Sequence, residues 1–493
     1  MRAGHLSFRV HALLGLSTLA LATSCKVGPN YETPQELPAE LWSQPAQGPI
    51  TVAEPDLKEW WKRFDDPILN QLIQQAQESN ATLEKSLANV RVSLASLGVT
   101  ESQFWPTINT GFEYSRNKTN VAFLAAEGVD VQPYDIWAGG AAMASWEIDV
   151  WGRVARLVES SKATMESSVE DLRGVLISVR SQVGTGYMNV RTLQMQLSIL
   201  RDAVANYKMI LDLTKAKFQA GTNTQLDVNQ AQSHLDLIEA SVPELEGELA
   251  ASIFSIAQLC GTTPGPMKLL LDASAPLPTG PETVGVGIPA NLLRRRPDVR
   301  SSERLVAAAV ANIGANEALN LPVFSISGNI YLASNQFSGL GDASNLAYGF
   351  GPSMTWLAFH GGYVDSMIAQ SKGNAQVALA GYRETVLEAM QDVETTISSL
   401  VQSRRSVVLY QKAVESAKST YDLAKLQYSA GTTDLDQLIM VQNDLLDVQR
   451  SLATSQGNVA INLVSLYRAL GGGWDDGAVN QAAERSAGMK DPS

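Results

Sequence analysis

The sequence predicts an α+β membrane protein built from two copies of one long unit. Three observations support this fold class: an internal repeat, two pairs of alternating segments, and two very long helical stretches. Residues 146–261 align with residues 356–471 without a gap, at a shift of 210 positions. A long period without insertions means that the spacing itself is constrained, as in walls made of quasi-equivalent units packed side by side.

Residues 1–24 have the features of a signal peptide. Arg2 and Arg9 precede a short apolar region, and small residues then lead into Cys25, as in a bacterial lipobox. We therefore expect a covalent lipid on Cys25, and Lys26 favours sorting to the outer membrane of a Gram-negative bacterium. An ordinary signal peptide with an incidental cysteine is the alternative. The other cysteine, Cys260, has no partner for an internal disulfide.

The mature chain is predicted to begin with an arm and then a helix. Residues 25–66 are rich in Pro, Gly and Glu and predict a lipidated, extended arm. Asp66 suits a helix N-cap and Pro67 suits the first turn. Apolar residues keep a helical spacing from there to about Gln103. This helix opens the first structural repeat, 67–261.

Four segments alternate between large apolar residues and small or polar residues, as strands do. They are 108–115, 136–148, 324–330 and 346–356. Their average length of about ten residues suits tilted strands that cross an outer membrane. A soluble sheet is the alternative, but each hairpin is flanked by very long helices. Aromatic residues of the kind found at membrane interfaces end the apolar face: Trp137, Trp146, Trp356 and Phe359.

Each hairpin is followed by a proline-free helical stretch, at about 153–219 and 363–429. At 1.5 Å per residue each stretch would form a rod of roughly 100 Å. Each rod ends at an Ala-Gly-Thr turn, where Gly supplies left-handed geometry and a capping residue starts a returning helix. The returning helices run to Gly261 and Gly471, and Pro243 predicts a kink or a local break in the first.

The remaining segments and the strand count bear on assembly. A Pro- and Gly-rich linker at 262–290 precedes the second structural repeat, 291–471, and a polar tail, 472–493. Four strands cannot close a transmembrane barrel, for which about eight is the smallest usual number. Since lipid does not tolerate open edges, the barrel must be shared. Two chains would give eight strands and three would give twelve, and twelve leave room for a pore.

The composition argues against an enzyme and against nucleic acid as a partner. The chain has 493 residues and a net charge of -13, whereas phosphate binding needs a basic stripe. The run Arg294-Arg295-Arg296 is therefore interpreted as a structural ion-pair element beside Asp298. The sequence contains no HExxH, GxSxG, Walker or clustered Cys/His motif. We therefore expect no catalytic residue, no metal site and no cofactor beyond the lipid on Cys25.

The segment from Gly287 to Arg300, GIPANLLRRRPDVR, closely resembles the outer-membrane factors of tripartite efflux pumps, which are TolC-like proteins. Other matching pieces are Val27-Gly28-Pro29-Asn30-Tyr31, Asp66-Pro67, Asp149-Val150-Trp151-Gly152-Arg153 and both Ala-Gly-Thr turns. With Cys25, these pieces resemble the NodT/OprM-type RND lipoprotein branch. The resemblance covers nearly the whole mature chain. It implies a TolC-like trimer with a shared 12-stranded transmembrane β-barrel, a long periplasmic α-helical barrel and an equatorial belt from the linker and termini.

The resemblance also implies a gate at the helix tips, where the periplasmic entrance would close. The candidate gate residues are Asp227, Tyr428, Asp434, Asp436 and Gln437. Threefold repetition would turn each Asp into a ring of like charges. The alternative is that Asp434 is only an N-cap and that the other two carboxylates are solvated. Gln437 and Met440 stand where relatives place constricting Asp residues, so Asp436 is the best substitute.

The implied function is a passive exit duct for drugs or other small toxic compounds. Its expected partners are two further copies of the chain, a periplasmic adaptor (membrane fusion protein), an inner-membrane RND-type pump and outer-membrane lipid. Adaptor contact is expected at the turns Gly221-Thr222 and Gly431-Thr432. A type I secretion duct and a filamentous coiled-coil surface protein remain as alternatives, although the hairpins count against the filament. His234 and His360 are expected to be structural.

Overall fold

The described residues fall into two compact units. The computed structural model describes residues 26–34, 42, 50–51, 53, 57–118, 132–288 and 294–474. The first unit draws on segments 1–34, 91–167 and 302–382, and the second on segments 35–90, 168–301 and 383–493. The predicted signal peptide and Cys25 lie outside the described residues. No helix of the described segments has the length and apolar content that crossing a bilayer requires.

The elements repeat with matched lengths. The helices are α1 (Pro67–Ser79), α2 (Ala81–Glu101), α3 (Arg153–Gln219), α4 (Gln225–Leu259), α5 (Pro264–Leu271), α6 (Pro297–Glu317), α7 (Tyr363–Ala430) and α8 (Leu435–Ala469). The long strands are β1 (Thr107–Asn117), β2 (Tyr134–Ile148), β3 (Val323–Ser334) and β4 (Leu346–Thr355), and two-residue strands at Ile50–Thr51 and Val284–Gly285 pair in parallel. Helices α2 and α6 both have 21 residues, α3 and α7 have 67 and 68, and α4 and α8 both have 35. Three helices of the first copy therefore have counterparts of equal or nearly equal length in the second.

The first unit contains a four-stranded antiparallel sheet in the order β1-β2-β3-β4. Pairing of β2 with β3 joins the two hairpins, with Trp146 opposite Ile326. Gly140 has φ 61°, a left-handed conformation suited to glycine, and the register shifts at this position in both ladders. Beside this bulge, the ring of Phe112 covers Gly139. The loop at 335–345 contains two short 3-10 turns.

The second unit is mainly helical, and its largest cluster of buried apolar residues includes Trp60. Trp60 is 1% exposed and stacks on Tyr467 with ring centroids 5.7 Å apart. Tyr187 donates a hydrogen bond of 2.7 Å to Asp66, which also caps α1. Leu69 and Ile256 are fully buried in the same core. Burial of each such side chain contributes about 1.5–3 kcal/mol to the stability of the fold. This core therefore fixes how the helices of the second unit pack on one another, which the sequence alone does not specify.

Two predictions about the N-terminal half need correction. The helical run expected from Pro67 to Gln103 is two helices, because Asn80 ends α1 and its side chain caps the next helix. Asn80 Oδ1 accepts from the Leu83 amide at 3.0 Å, and Nδ2 donates to the Leu259 carbonyl at 2.7 Å. The arm predicted at 25–66 is not extended throughout, since Trp60–Phe64 form a buried 3-10 turn.

Three further predictions changed in detail. Pro243 lies inside a continuous α4 and does not break it. The linker predicted at 262–290 contains the short helix α5. The predicted tail begins inside the core, because the amides of Gly472 and Gly473 donate to the carbonyls of Tyr467 and Leu57. Residues 475–493 lie outside the described part of the chain.

Candidate functional site

The sheet of the first unit has two chemically different faces. The register places large apolar side chains on one face, here called the apolar face. It includes Ile108, Phe112, Tyr114, Trp137, Trp146, Ile326, Ile330, Tyr348, Phe350 and Met354. The opposite face, here called the small-residue face, carries mostly Gly, Ala, Ser, Thr and Asn. Phe350 is 85% exposed, so the described residues leave this part of the apolar face uncovered.

Aromatic residues lie at both ends of the apolar face. At one end, the indole nitrogens of Trp146 and Trp356 donate to the carbonyls of Phe104 and Asn320 at 2.9 and 3.0 Å. At the end near the loops, Trp137 packs on Tyr114 and Phe337, with ring centroids 4.2 and 5.2 Å away. Aromatic belts at two levels are typical of a surface that spans a bilayer.

The helix tips of the second unit are built from two matching turns. Gly221 and Gly431 have φ 75° and 78°, as the sequence predicts. The Thr222 amide donates to the Lys217 carbonyl and the Thr432 amide to the Gln427 carbonyl, both at 2.9 Å. The amide of each glycine donates to the carbonyl one position after the carbonyl that the neighbouring threonine amide bonds. This second hydrogen bond completes a Schellman motif at each tip. Both turns therefore have the same hydrogen-bonded backbone geometry.

Two of the predicted gate carboxylates cap returning helices. Asp434 accepts from the Gln437 amide at 2.9 Å at the start of α8. Asp227 forms a capping box with Thr224: its carboxylate accepts from the Thr224 amide at 2.7 Å, and the Thr224 hydroxyl accepts from the Asp227 amide. Both carboxylates therefore stabilise local structure, which was the alternative interpretation for Asp434.

Tyr428 connects the two tips. It lies near the end of α7 and is 2% exposed. Its hydroxyl is 2.9 Å from Thr214 Oγ1 and accepts from Asn223 Nδ2 at 2.9 Å. Because Thr214 already donates to the Ile210 carbonyl, the tyrosine hydroxyl donates to Thr214. Lys217 Nζ lies 4.7 Å from the centroid of the tyrosine ring.

These contacts form what we call the tip latch: Tyr428 from the second repeat, with Thr214, Lys217 and Asn223 from the first. Further along, Asp436 accepts from Gln230 Nε2, and Tyr207 donates to Asn443 at 2.6 Å. Sequence reasoning missed Thr214, Lys217, Asn223 and Gln230, because their partners lie more than 200 positions away. Asp436, Gln437 and Met440 are exposed, so Asp436 remains the tip carboxylate with no capping role.

The histidines and the arginine run have structural contacts. His234 stacks on Tyr207 with an interplanar angle of 10°, and His360 Nδ1 accepts from the Val364 amide at the start of α7. Arg296 is buried and makes two hydrogen bonds to Asp298, at 3.0 and 2.6 Å. This geometry agrees with the interpretation of the run as a structural ion-pair element.

Comparison with known proteins gives consistent matches. The profile of the family described as outer membrane efflux protein matches residues 72–262 and 288–472, which together are most of the chain. The toluene efflux pump outer membrane protein TtgC of Pseudomonas putida is 26% identical over 96% of this chain and 98% of its own. Nodulation protein T of Rhizobium leguminosarum bv. trifolii is 28% identical over 89% of this chain and 91% of its own.

A solved structure of the outer-membrane channel OprN superposes with a TM-score of 0.84 and 30% identity, over 91% of this chain and 100% of that one. The TolC-like channel fold, mainly helical with β-strands, is therefore confirmed. The prediction of a channel protein in place of an enzyme is confirmed by the family, as is the expected resemblance. The chain belongs to the outer membrane efflux protein family.

Proposed function

We propose that three copies of this chain form one channel, with a shared 12-stranded β-barrel in the outer membrane and a long α-helical barrel in the periplasm. The four-stranded sheet carries this proposal. Its apolar face is uncovered, and β1 and β4 pair with no further strand of the described chain. Lipid offers no hydrogen bonds to open edges, so neighbouring copies must cover both. The matched lengths of α3 and α7 support a channel wall built from helices of equal length.

The channel is proposed to act as the passive exit duct of a tripartite RND-type efflux system. A relative named for toluene efflux supports small toxic compounds as the cargo. The inner-membrane pump and the periplasmic adaptor would supply energy and choose the substrate. The rigid turns at Gly221-Thr222 and Gly431-Thr432 are the proposed adaptor contacts, since both present the same backbone shape at the tips.

The gate is proposed to lie at the same tips. The tip latch would hold the two helical hairpins of one chain together, and adaptor contact would release it. In a trimer, Asp436 would contribute a ring of three carboxylates, whereas Asp227, Asp434 and Gln437 would keep the turns in shape. Gln230 is the neutral partner of Asp436, so the charge of this carboxylate is not cancelled by it.

The lipid anchor on Cys25 is also a proposal, and the residues that follow it support it. The amide of Val27 donates to the Trp151 carbonyl at 3.1 Å. The buried Arg156 donates to the carbonyls of Val27 and Gly28 at 3.1 and 3.2 Å. The chain directly after Cys25 is thus fixed beside the end of β2 and the start of α3. An acyl chain attached there would enter the bilayer next to the barrel.

Counting thiols tests the anchor. Cys260 is fully buried and donates to the Leu72 carbonyl, and burial raises its pKa to about 11. A thiol reagent at pH 8 should therefore leave Cys260 of the folded protein unmodified, since the thiolate reacts and the thiol does not. After denaturation, protein that carries lipid on the Cys25 sulfur should show one reactive thiol per chain, and its mass should exceed that of the chain from Cys25 by the attached lipid. Two reactive thiols, or one thiol without the extra mass, would show that Cys25 is not lipidated.

Reconstitution tests the channel itself. Protein extracted from the membrane in detergent should behave as a trimer and should give ion currents in planar bilayers. A compact monomer without a conducting bore would contradict the proposal. Deletion of the gene should raise retention of a fluorescent efflux dye. Normal dye retention together with loss of a secreted protein would instead favour the type I secretion alternative.

A further inference from the structure

One carboxylate of the sheet has no basic partner among the residues that the structure describes. The four strands carry four charged side chains, Glu113, Arg116, Asp135 and Glu147. Arg116 lies 3.6 Å from Asp135, and Arg153 donates two hydrogen bonds to Glu147 at 2.9 and 2.7 Å. Glu113 makes no ion pair with any of the described residues, and its side chain is exposed.

The register places Glu113 on the small-residue face. Its Cα partner across the ladder is Ala138, and Gly111 and Ser115 share its side of β1. Phe112 and Tyr114, its direct neighbours, lie on the apolar face. In a bilayer the apolar face meets lipid, so Glu113 lies on the side that faces water.

The hairpin loops cannot supply a basic partner. Residues 119–131 and 335–345 contain no Lys and no Arg, and they add Glu127, Asp130 and Asp342. Lys118 follows β1 directly, but five positions along an extended chain separate it from Glu113 by about 16 Å. By sequence, these two loop segments therefore carry negative charge and no positive charge.

We propose that Glu113 selects for cations in the outer part of the bore. The inference rests on the proposed trimer, in which three Glu113 side chains would form one ring near the external mouth. A ring of carboxylates in a narrow aqueous pore attracts cations and repels anions. The favoured cargo would be inorganic cations and small organic cations such as quaternary ammonium compounds.

The test is the reversal potential of the reconstituted channel across a KCl gradient. Glu113→Gln should lower the ratio of cation to anion permeability by roughly two- to threefold, because three charges leave the bore. Glu113→Lys should make the channel favour anions. Each variant is also measured as a double variant that carries Tyr428→Ala, so that the helix tips do not limit the current.

Asp342→Asn is the matched control, because Asp342 lies in an exposed turn of the second hairpin loop. It should change the permeability ratio much less than Glu113→Gln. Equal changes in the two variants would assign selectivity to the whole mouth and would overturn the role of Glu113. An unchanged ratio in Glu113→Gln, in a channel that conducts, would also overturn it and would leave the duct intact. A protein that never conducts would contradict the proposed function itself.

Discussion

Replacing Tyr428 by alanine should raise the resting conductance of the reconstituted channel by roughly ten- to a hundredfold. The change removes the hydroxyl that contacts Thr214 and Asn223 and the ring that lies beneath Lys217. Such contacts together contribute about 1.5 to 3 kcal/mol, and each 1.4 kcal/mol is tenfold in a two-state equilibrium. Single-channel recording in planar bilayers measures the effect directly.

Two variants separate the gate from general damage. Tyr428→Phe keeps the ring and its contact with Lys217 but removes both hydrogen bonds of the hydroxyl, so it should raise the resting conductance by roughly fivefold, less than Tyr428→Ala does. Tyr410→Ala makes the same truncation on α7, at a half-exposed tyrosine outside the latch, and should leave the conductance unchanged. If Tyr410→Ala opened the channel as much as Tyr428→Ala, the tip latch would not be the gate.

Replacing Arg296 by alanine should destabilise the folded protein by about 3 kcal/mol, because a buried charge and its hydrogen bonds are removed. Arg296 reaches three separate parts of the second unit. It donates to Asp298 in the first turn of α6, to Asp392 of α7 at 3.3 Å, and to the Ala469 carbonyl of α8 at 3.0 Å. Without the guanidinium, that buried carbonyl has lost its charged donor.

The measurement is the loss of helical circular dichroism on heating or in denaturant. Arg296→Lys should recover only part of the stability, since an ammonium group cannot make the paired contact with Asp298. Arg295→Ala is the control, because Arg295 is the exposed neighbour in the same basic run. Unfolding of Arg296→Ala at the same midpoint as Arg295→Ala would show that the ion-pair element does not support the fold.

Local signals were sufficient for the turns and the strands. The Ala-Gly-Thr turns were predictable because a left-handed glycine and a capping residue act within a few positions. The alternation of residues 346–356 predicted β4 because a half-buried strand shows its pattern over its own length. The helix boundary at Asn80 was not predicted, because it depends in part on a distant contact. The Asn80 side chain also donates to the Leu259 carbonyl, which lies on a helix far away in the sequence.

The partners of the tip residues were beyond any local signal. Tyr428 was a candidate from the family resemblance, yet Thr214 and Asn223 lie 214 and 205 positions away. Asp227 and Asp434 were expected as gate charges, and their carboxylates are occupied as caps. For Arg296, the ion pair with the nearby Asp298 could be predicted from the sequence, whereas the contacts with Asp392 and Ala469 could not.

By itself, the sequence determined the repeat, the paired strands, the long helices and the family. The strands, helices and turns depend on periodicity and turn chemistry within a few neighbouring residues, and the repeat and the family follow from comparing sequences. Only the tertiary structure decided which side chains meet across the two copies. Those contacts depend on helix rotation and strand register, which the packing of the whole core sets. The tip latch, and the lack of an ion pair to Glu113 among the described residues, are therefore properties of the folded chain.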